Sequence, residues 1–295
     1  MLNMRANCML QCAIHMEKEI FDNFFKPYSE NVDKVDANSS FWKLSDKIIL
    51  EIIKNEILVN CTDDSIVMDA GGGSGRWVVK MSKECNANFV IYDRSEYMLE
   101  KARENIAHAN IQDRVKILNG DLTNITEFAD NSVDYVTSIY SPISFIYDSK
   151  KAFIELHRIL KPGGKIIIMS HGLYNAIFSK INNYCAPVAE IRKLFETHVV
   201  KWAPHVPELI TYSKESMEKC LTDVGFSIDK TYGIPVFVQP GPQDFNPDNE
   251  GVSRISKYLE DGDNFNEVFE LEMASNSEPT VANRGMNMFV AATKS

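Results

Sequence analysis

The chain has 295 residues, of which 44% are hydrophobic and 10% aromatic, enough apolar material for one large globular domain with insertions. Its 31 lysines and arginines face 41 acids, a formal charge of −10 with no Lys/Arg cluster, so a nucleic acid backbone or an anionic membrane surface would repel it more than attract it. The six cysteines (Cys8, Cys12, Cys61, Cys85, Cys185 and Cys220) form no C-x-x-C pair and no zinc-spaced array, Asn7, Gln11 and His15 interrupt the start of the chain, and no apolar run reaches the ~18 residues of a membrane span, which together predict a soluble cytoplasmic protein with reduced thiols.

From Phe21 to Trp42 aromatics mix with polar residues and Pro27, a composition that suits a lid, and residues 1–44 are assigned to an N-terminal helical lid segment. Ser45 to Leu58 sets Ile48, Ile49, Ile52, Ile53 and Ile57 on one helical stripe, which reads as a helix packed on a sheet and contributing core rather than chemistry. Up to residue 170 short apolar runs then alternate with amphipathic segments, the pattern of βαβ units around a parallel sheet. The expected strands are Ser65–Met68, Asn88–Tyr92, Arg114–Leu118, Val133–Ile139 and Lys165–Met169, and the expected helices Arg76–Cys85, Ser95–Ala109 and Ser149–Leu160. The last helix stops before Lys161-Pro162-Gly163-Gly164, because proline cannot continue it and glycine permits the turn back. Residues 171–212, rich in histidine and tyrosine without a clean period, read as an insertion over the site. A helix Ser213–Val224, a strand Ser227–Val238, a Pro/Gly/Asp/Asn-rich stretch from Gln239 to Gly251, a helical segment near Asn264–Ala274 and a strand Met286–Ala291 follow. One domain over 45–295, with cap insertions at about 171–212 and 239–280, is the expected organisation.

The chemistry begins at Asp69-Ala70-Gly71-Gly72-Gly73-Ser74-Gly75-Arg76, directly after the first expected strand. A dinucleotide fingerprint would read G-x-G-x-x-G. Here the turn is G-x-G-x-G, Arg76 stands where that motif reserves its third glycine, and the preceding Asp69 would repel a pyrophosphate but could hold a cationic amine. Asp93 ends the second strand about twenty residues on, where an acid can accept from both ribose hydroxyls. Asp121 ends the third, where its carboxylate could accept from an adenine amino group while Leu122 covers the ring. One strand-end acid could be a helix cap, whereas three in register mark the ligand edge of an open α/β sheet.

These residues, with Phe128-Ala-Asp-Asn-Ser-Val-Asp134 leading into the fourth strand and Arg158-Ile-Leu-Lys-Pro-Gly-Gly164 after the next helix, resemble the class I S-adenosylmethionine-dependent methyltransferases over nearly the whole chain. The resemblance implies a Rossmann-like three-layer αβα sandwich with a seven-stranded, mostly parallel sheet whose last strand runs antiparallel. It implies S-adenosyl-L-methionine as cofactor and S-adenosyl-L-homocysteine as product. Asp69 and the glycine backbone would hold the methionine part, Asp93 the ribose, and Asp121 with Leu122 the adenine, while Ala70, Gly71, Gly73, Arg94 and Met98 belong to the same cofactor-binding set. Tyr28 would close over the cofactor, as in many small-molecule members. Trp42 is a candidate for the same duty or for packing, and Tyr140 should pass close to the methionine end.

The cofactor's sulfonium makes its methyl group electrophilic, so the protein must chiefly align a nucleophile and exclude water. No metal is required, and no metal-ligand cluster is visible in the sequence. His171 falls at the ligand edge of the fifth strand, as a base, an acceptor donor or an ordinary structural histidine. The expected function is methylation of a small-molecule acceptor at O, N or C, without nucleic acid or membrane as partner. A peptide or protein side-chain methyltransferase and a non-catalytic cofactor-binding regulator are the alternatives, and the oligomeric state cannot be read.

Overall fold

The computed structural model describes residues 23–27, 29–30, 39–245 and 251–295. Five parallel strands, β1 (Ile66–Ala70), β2 (Asn88–Asp93), β3 (Val115–Asn119), β4 (Val133–Ser138) and β5 (Leu160–Gly172), lie in the order β3-β2-β1-β4-β5. Three further strands complete the first description: β6 (Val199–Val200), β7 (Leu209–Tyr212) and β8 (Phe226–Ile234). The last, β9 (Asn287–Lys294), runs antiparallel beside β5, Ile168 facing Val290, and β8 pairs antiparallel with its far side. Seven strands thus make the expected sheet, with an antiparallel final strand. The total of nine corrects the expected count: β6 and β7 form a ribbon, and β7 joins the end of β5 through His171 and Gly172, beyond the Ser138–Ile168 pair where β4 stops. Strands of two and four residues are too short to leave a periodic signal.

The sheet is buried on both faces, which is why its strands read as continuous apolar runs. Val67, Phe89, Ile91, Ile167 and Phe289 point into one core with α1 (Ser40–Glu56), α2 (Arg76–Met81) and α3 (Glu96–His108). Their chain neighbours Met68, Val90, Ile166, Ile168 and Val290 point into the other, against α4 (Ser149–Ile159) and a later helix at Lys214–Thr222. This alternation makes the three-layer sandwich. The insertion holds α5 (Leu173–Asn182) and α6 (Val188–Thr197), with a small core of its own in which Leu173, Ala176, Leu194, Val200 and Leu209 meet.

Several boundaries moved. The first long helix begins at Ser40, so the division expected at 44/45 falls inside it; Ser39 caps its N-terminus by accepting from the Trp42 amide, and Phe41, Trp42 and Leu44 are already buried. That cap is tied to the second insertion, because Asp244 accepts from the Ser39 hydroxyl at 2.8 Å and from the Gly241 amide at 2.7 Å. The helix expected to reach Cys85 ends at Met81, and the strand expected to reach Val238 ends at Ile234. There the chain turns onto Glu272, a buried carboxylate that accepts from the amides of Val236 and Phe237, both at 2.8 Å.

Candidate functional site

The glycine turn is built by its backbone. Gly71, Gly73 and Gly75 have φ of +74°, +52° and +72°, a region that costs residues with a Cβ roughly 1–2 kcal/mol. A Cβ on Gly71 would also overlap Pro142, and one on Gly75 would lie 2.6 Å from Ile91 Cδ1. The Gly71 amide donates to the Tyr92 carbonyl at 2.7 Å, drawing the turn across the end of β2. Met98 closes the other side: its Cε would lie 2.9 Å from a Cβ on Gly73.

Three acids stand along this edge in different states. Asp69 is buried beside Ala70 at the end of β1; its Oδ1 accepts from the Thr137 hydroxyl at 3.0 Å, while Oδ2, also buried, has no hydrogen-bond partner. Burial pushes its carboxyl up to about 7, the Thr137 hydrogen bond opposing the shift. A buried carboxylate oxygen without a partner is costly unless a donor or cation completes it. Asp93 is bound twice by main chain, Oδ2 accepting from the Gly73 amide at 3.0 Å and Oδ1 from the Ser95 amide at 2.8 Å. Burial raises its pKa, and those amides pull it back. Asp121 is exposed, with Oδ1 accepting from the amide and hydroxyl of Thr123, both at 2.8 Å, and Leu122 beside it is buried. Arg94 is exposed at the same edge.

Asp46, which the sequence reading passed over, ties this edge together. On a helix read as pure core it is buried, and it gathers three donors: Arg76 through both guanidinium nitrogens at 3.0 Å, Lys80 at 3.0 Å, and the Tyr140 hydroxyl at 2.6 Å. Arg76, the first residue after the glycine turn, and Tyr140, two residues beyond β4, are therefore held by one carboxylate. Tyr140 and Ser141 both sit in the left-handed region, φ +61° and +66°, and two such residues in succession mark strain held by its surroundings. The available signal was one acid among apolar residues on the buried face of a helix. Thr137, the partner of Asp69, was hidden inside an apolar strand.

The other expected residues scatter around this centre. Trp42 is buried, with ring centroids 5.9 Å from Tyr140 and 5.5 Å from Phe245, and its indole N–H donates to the Asp244 carbonyl at 2.6 Å. Tyr28 lies outside the described residues. His171 ends β5, its amide donating to the Ser144 hydroxyl at 3.1 Å and its ring 6.5 Å from Trp202. Burial pushes its pKa down to about 4, which keeps the ring neutral. Phe145, after β4, meets Phe24 and Phe25 at 6.2 and 5.5 Å. No group of three or more metal-ligating side chains, and no helix long and apolar enough to cross a membrane, occurs among the described residues. The described cysteines, Cys61, Cys85, Cys185 and Cys220, are free thiols.

The methyltransferase domain family matches residues 67–164, the stretch from β1 through the glycine turn into β5. The ubiquinone/menaquinone biosynthesis C-methyltransferase UbiE of Rickettsia prowazekii (strain Madrid E) is 24% identical over 197 residues, 65% of this chain and 73% of that protein. The demethylmenaquinone methyltransferase of Staphylococcus haemolyticus (strain JCSC1435) is 35% identical over 107 residues, 36% of this chain and 43% of that one. In fold, the geranyl diphosphate C-methyltransferase of Streptomyces coelicolor A3(2) is similar with a TM-score of 0.54 at 16% identity, over 85% of this chain and 79% of that chain. The [4+2]-cyclase SpnF is similar at 0.53 and 14%, over 83% of this chain and 80% of that one, so the likeness in fold does not fix the reaction. Taken with the glycine turn and its acids, the sequence matches place the chain in the class I S-adenosylmethionine-dependent methyltransferases, as an enzyme of that family.

Proposed function

We propose that the protein methylates an apolar, ring-bearing small molecule, holding S-adenosylmethionine along the edge from β1 to β3. The observation that carries the cofactor assignment is the unpartnered, buried Oδ2 of Asp69 beside a turn too close-packed for side chains. In this reading Asp69 accepts from the ammonium of the methionine part, with the amides and carbonyls of Ala70, Gly71 and Gly73 around it. Asp93, already fixed by two amides, presents its remaining lone pairs to the ribose hydroxyls, with Arg94 beside it. Asp121 takes the adenine amino group, and Leu122 and Met98 supply apolar contact to the ring. When bound, the cofactor supplies the electrophilic methyl group.

The acceptor side has a different character. The side chains that support an apolar acceptor are the rings of Phe145, Tyr140 and Trp202 around the ends of β4 and β5, with neutral His171 beside Trp202. The similarity to a ubiquinone/menaquinone biosynthesis C-methyltransferase and to a demethylmenaquinone methyltransferase favours the same class. Tyr140 is held toward the methionine end by Asp46, and His171 accepts the proton that leaves the acceptor or orients its hydroxyl. Calorimetry with S-adenosylmethionine, S-adenosylhomocysteine and NAD tests the first half: the first two should bind at micromolar-range affinity, and tighter binding of NAD would overturn it. Labelled methyl transfer into a lipid extract compared with a polar metabolite extract tests the second, and label only in the polar extract or in protein would refute the apolar acceptor.

A further inference from the structure

The insertion that follows β5 concentrates exposed apolar side chains in a short stretch of chain. Of fifteen large hydrophobic side chains that are exposed among the described residues, six lie between positions 174 and 195, at 44 to 71% exposure. They are arranged by helix geometry. Tyr174, Phe178 and Ile181 follow at i, i+4 and i+7 on α5, opposite its buried Leu173 and Ala176. Val188 and Phe195 flank Arg192 with the same spacing on α6, and Tyr184 lies on the connection between the helices. Two adjacent helices that are apolar outside as well as inside are not explained by folding, since the small core between them already uses their inner faces.

We propose that this outer face docks the protein on the surface of an anionic phospholipid bilayer. Charge favours that occupant. Lys180 is buried and paired with Glu190, and Lys193 pairs with Glu208, which leaves Arg192 and Lys201 against Glu196 on the outer side of residues 173–202, a local excess of positive charge in a chain of −10. Arg192, within the α6 stripe, makes no ion pair with a described carboxylate. Apolar side chains with tyrosines and basic residues at their margin are the composition of helices lying in a membrane interface. Pairing this face with a second copy would gather the same cations on both sides, whereas anionic headgroups neutralise them. The patch also leads inward: the Tyr184 ring lies 5.7 Å from Trp202, whose ring lies 6.5 Å from His171 at the end of β5. An apolar acceptor dissolved in the bilayer would meet rings along that path. This last point rests on the apolar acceptor proposed above; the docking surface itself does not.

Co-sedimentation of the full chain with vesicles tests the inference, using phosphatidylcholine alone and phosphatidylcholine with one quarter phosphatidylglycerol. The parent should partition onto the mixed vesicles. Phe178→Ser with Ile181→Ser should lower the partition coefficient about tenfold or more, and Arg192→Gln with Lys193→Gln should lower it by about fivefold per charge, on the mixed vesicles only. Parent-like melting and cofactor binding in both variants would show that folding is intact. No partition of the parent, an unaffected serine variant, or a concentration-dependent dimer without lipid that the serine variant abolishes would each overturn the proposal. A polar acceptor with vesicle binding retained would refute the apolar acceptor alone, and an apolar acceptor without vesicle binding would refute the docking surface alone.

Discussion

The edge of the sheet over β1 to β3 and the cap beside β5 are built on opposite principles. At the first, recognition is written in the main chain: glycines with positive φ, amides tied to strand-end carboxylates, and acids at fixed places after each strand. At the second, side chains from two helices and a short ribbon pack on one another and on Trp202 and Phe145, and any set of apolar residues of similar size would make such a core. A backbone-built site constrains residue type position by position, whereas a packed cap constrains mainly volume. The difference accounts for the family match spanning residues 67–164 and leaving the cap out.

Replacing Asp93 gives the largest expected break between the two regions. Asp93→Ala should weaken cofactor binding about 10²-fold or more, because two charge-assisted hydrogen bonds worth roughly 1.5–3 kcal/mol each would be lost. The sequence alone suggests that the fold would not notice. The structure adds a cost, since the Gly73 and Ser95 amides lose their acceptor, and the variant should unfold about 1–3 kcal/mol more easily. Calorimetry and chemical denaturation measure both; normal binding in a destabilised variant would make Asp93 a turn residue only.

What could be read from the sequence follows the same division. Asp69, Asp93 and Asp121 were found because each follows an apolar run, and the α/β class because strands buried on both faces cannot be mistaken for amphipathic ones. Asp46 was passed over because its neighbours Leu44, Ile48 and Ile49 are core, and sequence periodicity does not reveal that a lone acid on that face meets Arg76 and Tyr140 from distant elements. The β6–β7 ribbon was missed because strands of two and four residues leave no periodic signal, and β7 reaches the sheet through β5, a long-range partner.

On the cap side, His171→Ala should lower turnover by about tenfold, less than a well-matched base would contribute. With a pKa held down to about 4, the ring is neutral at every physiological pH, so the parent's pH–rate profile should lack an acidic limb near 6.5. Such a limb, abolished in the variant, would show that the bound acceptor raises the pKa of His171 again and that it acts as a tuned base; unchanged turnover would leave it a structural residue.

Asp69 sharpens the cofactor side with a smaller effect. Its carboxyl, moved from 3.8 up to about 7 by burial, is largely protonated in the free protein below neutrality. Binding an ammonium group requires the ionised form, so cofactor affinity should fall about fivefold between pH 7 and pH 6, and binding at pH 6 should release a proton, read by calorimetry in buffers of different ionisation enthalpy. The sign for stability is opposite. The folded-state pKa is raised, so the neutral carboxyl contributes stability that is complete below the unfolded value and is lost as pH rises through about 7. Proton uptake on binding would sink the assignment of the ammonium to Asp69.

Trp42 lies between the two regions and decides which of them the start of the first helix serves. Its ring is buried among Phe41, Tyr140 and Phe245, and its N–H is committed to the Asp244 carbonyl, the residue that also accepts from the Ser39 cap. A ring so occupied anchors the helix to the second insertion, and the cofactor would meet it only through Tyr140. Trp42→Phe keeps a ring but leaves that carbonyl without its donor and removes volume, so unfolding should become easier by about 1–3 kcal/mol. Cofactor affinity should stay within about twofold of the parent, well under the tenfold that each 1.4 kcal/mol of lost contact would give. A tenfold loss of affinity with unchanged melting would move Trp42 into the cofactor site and make the N-terminal helix part of the backbone-written region after all.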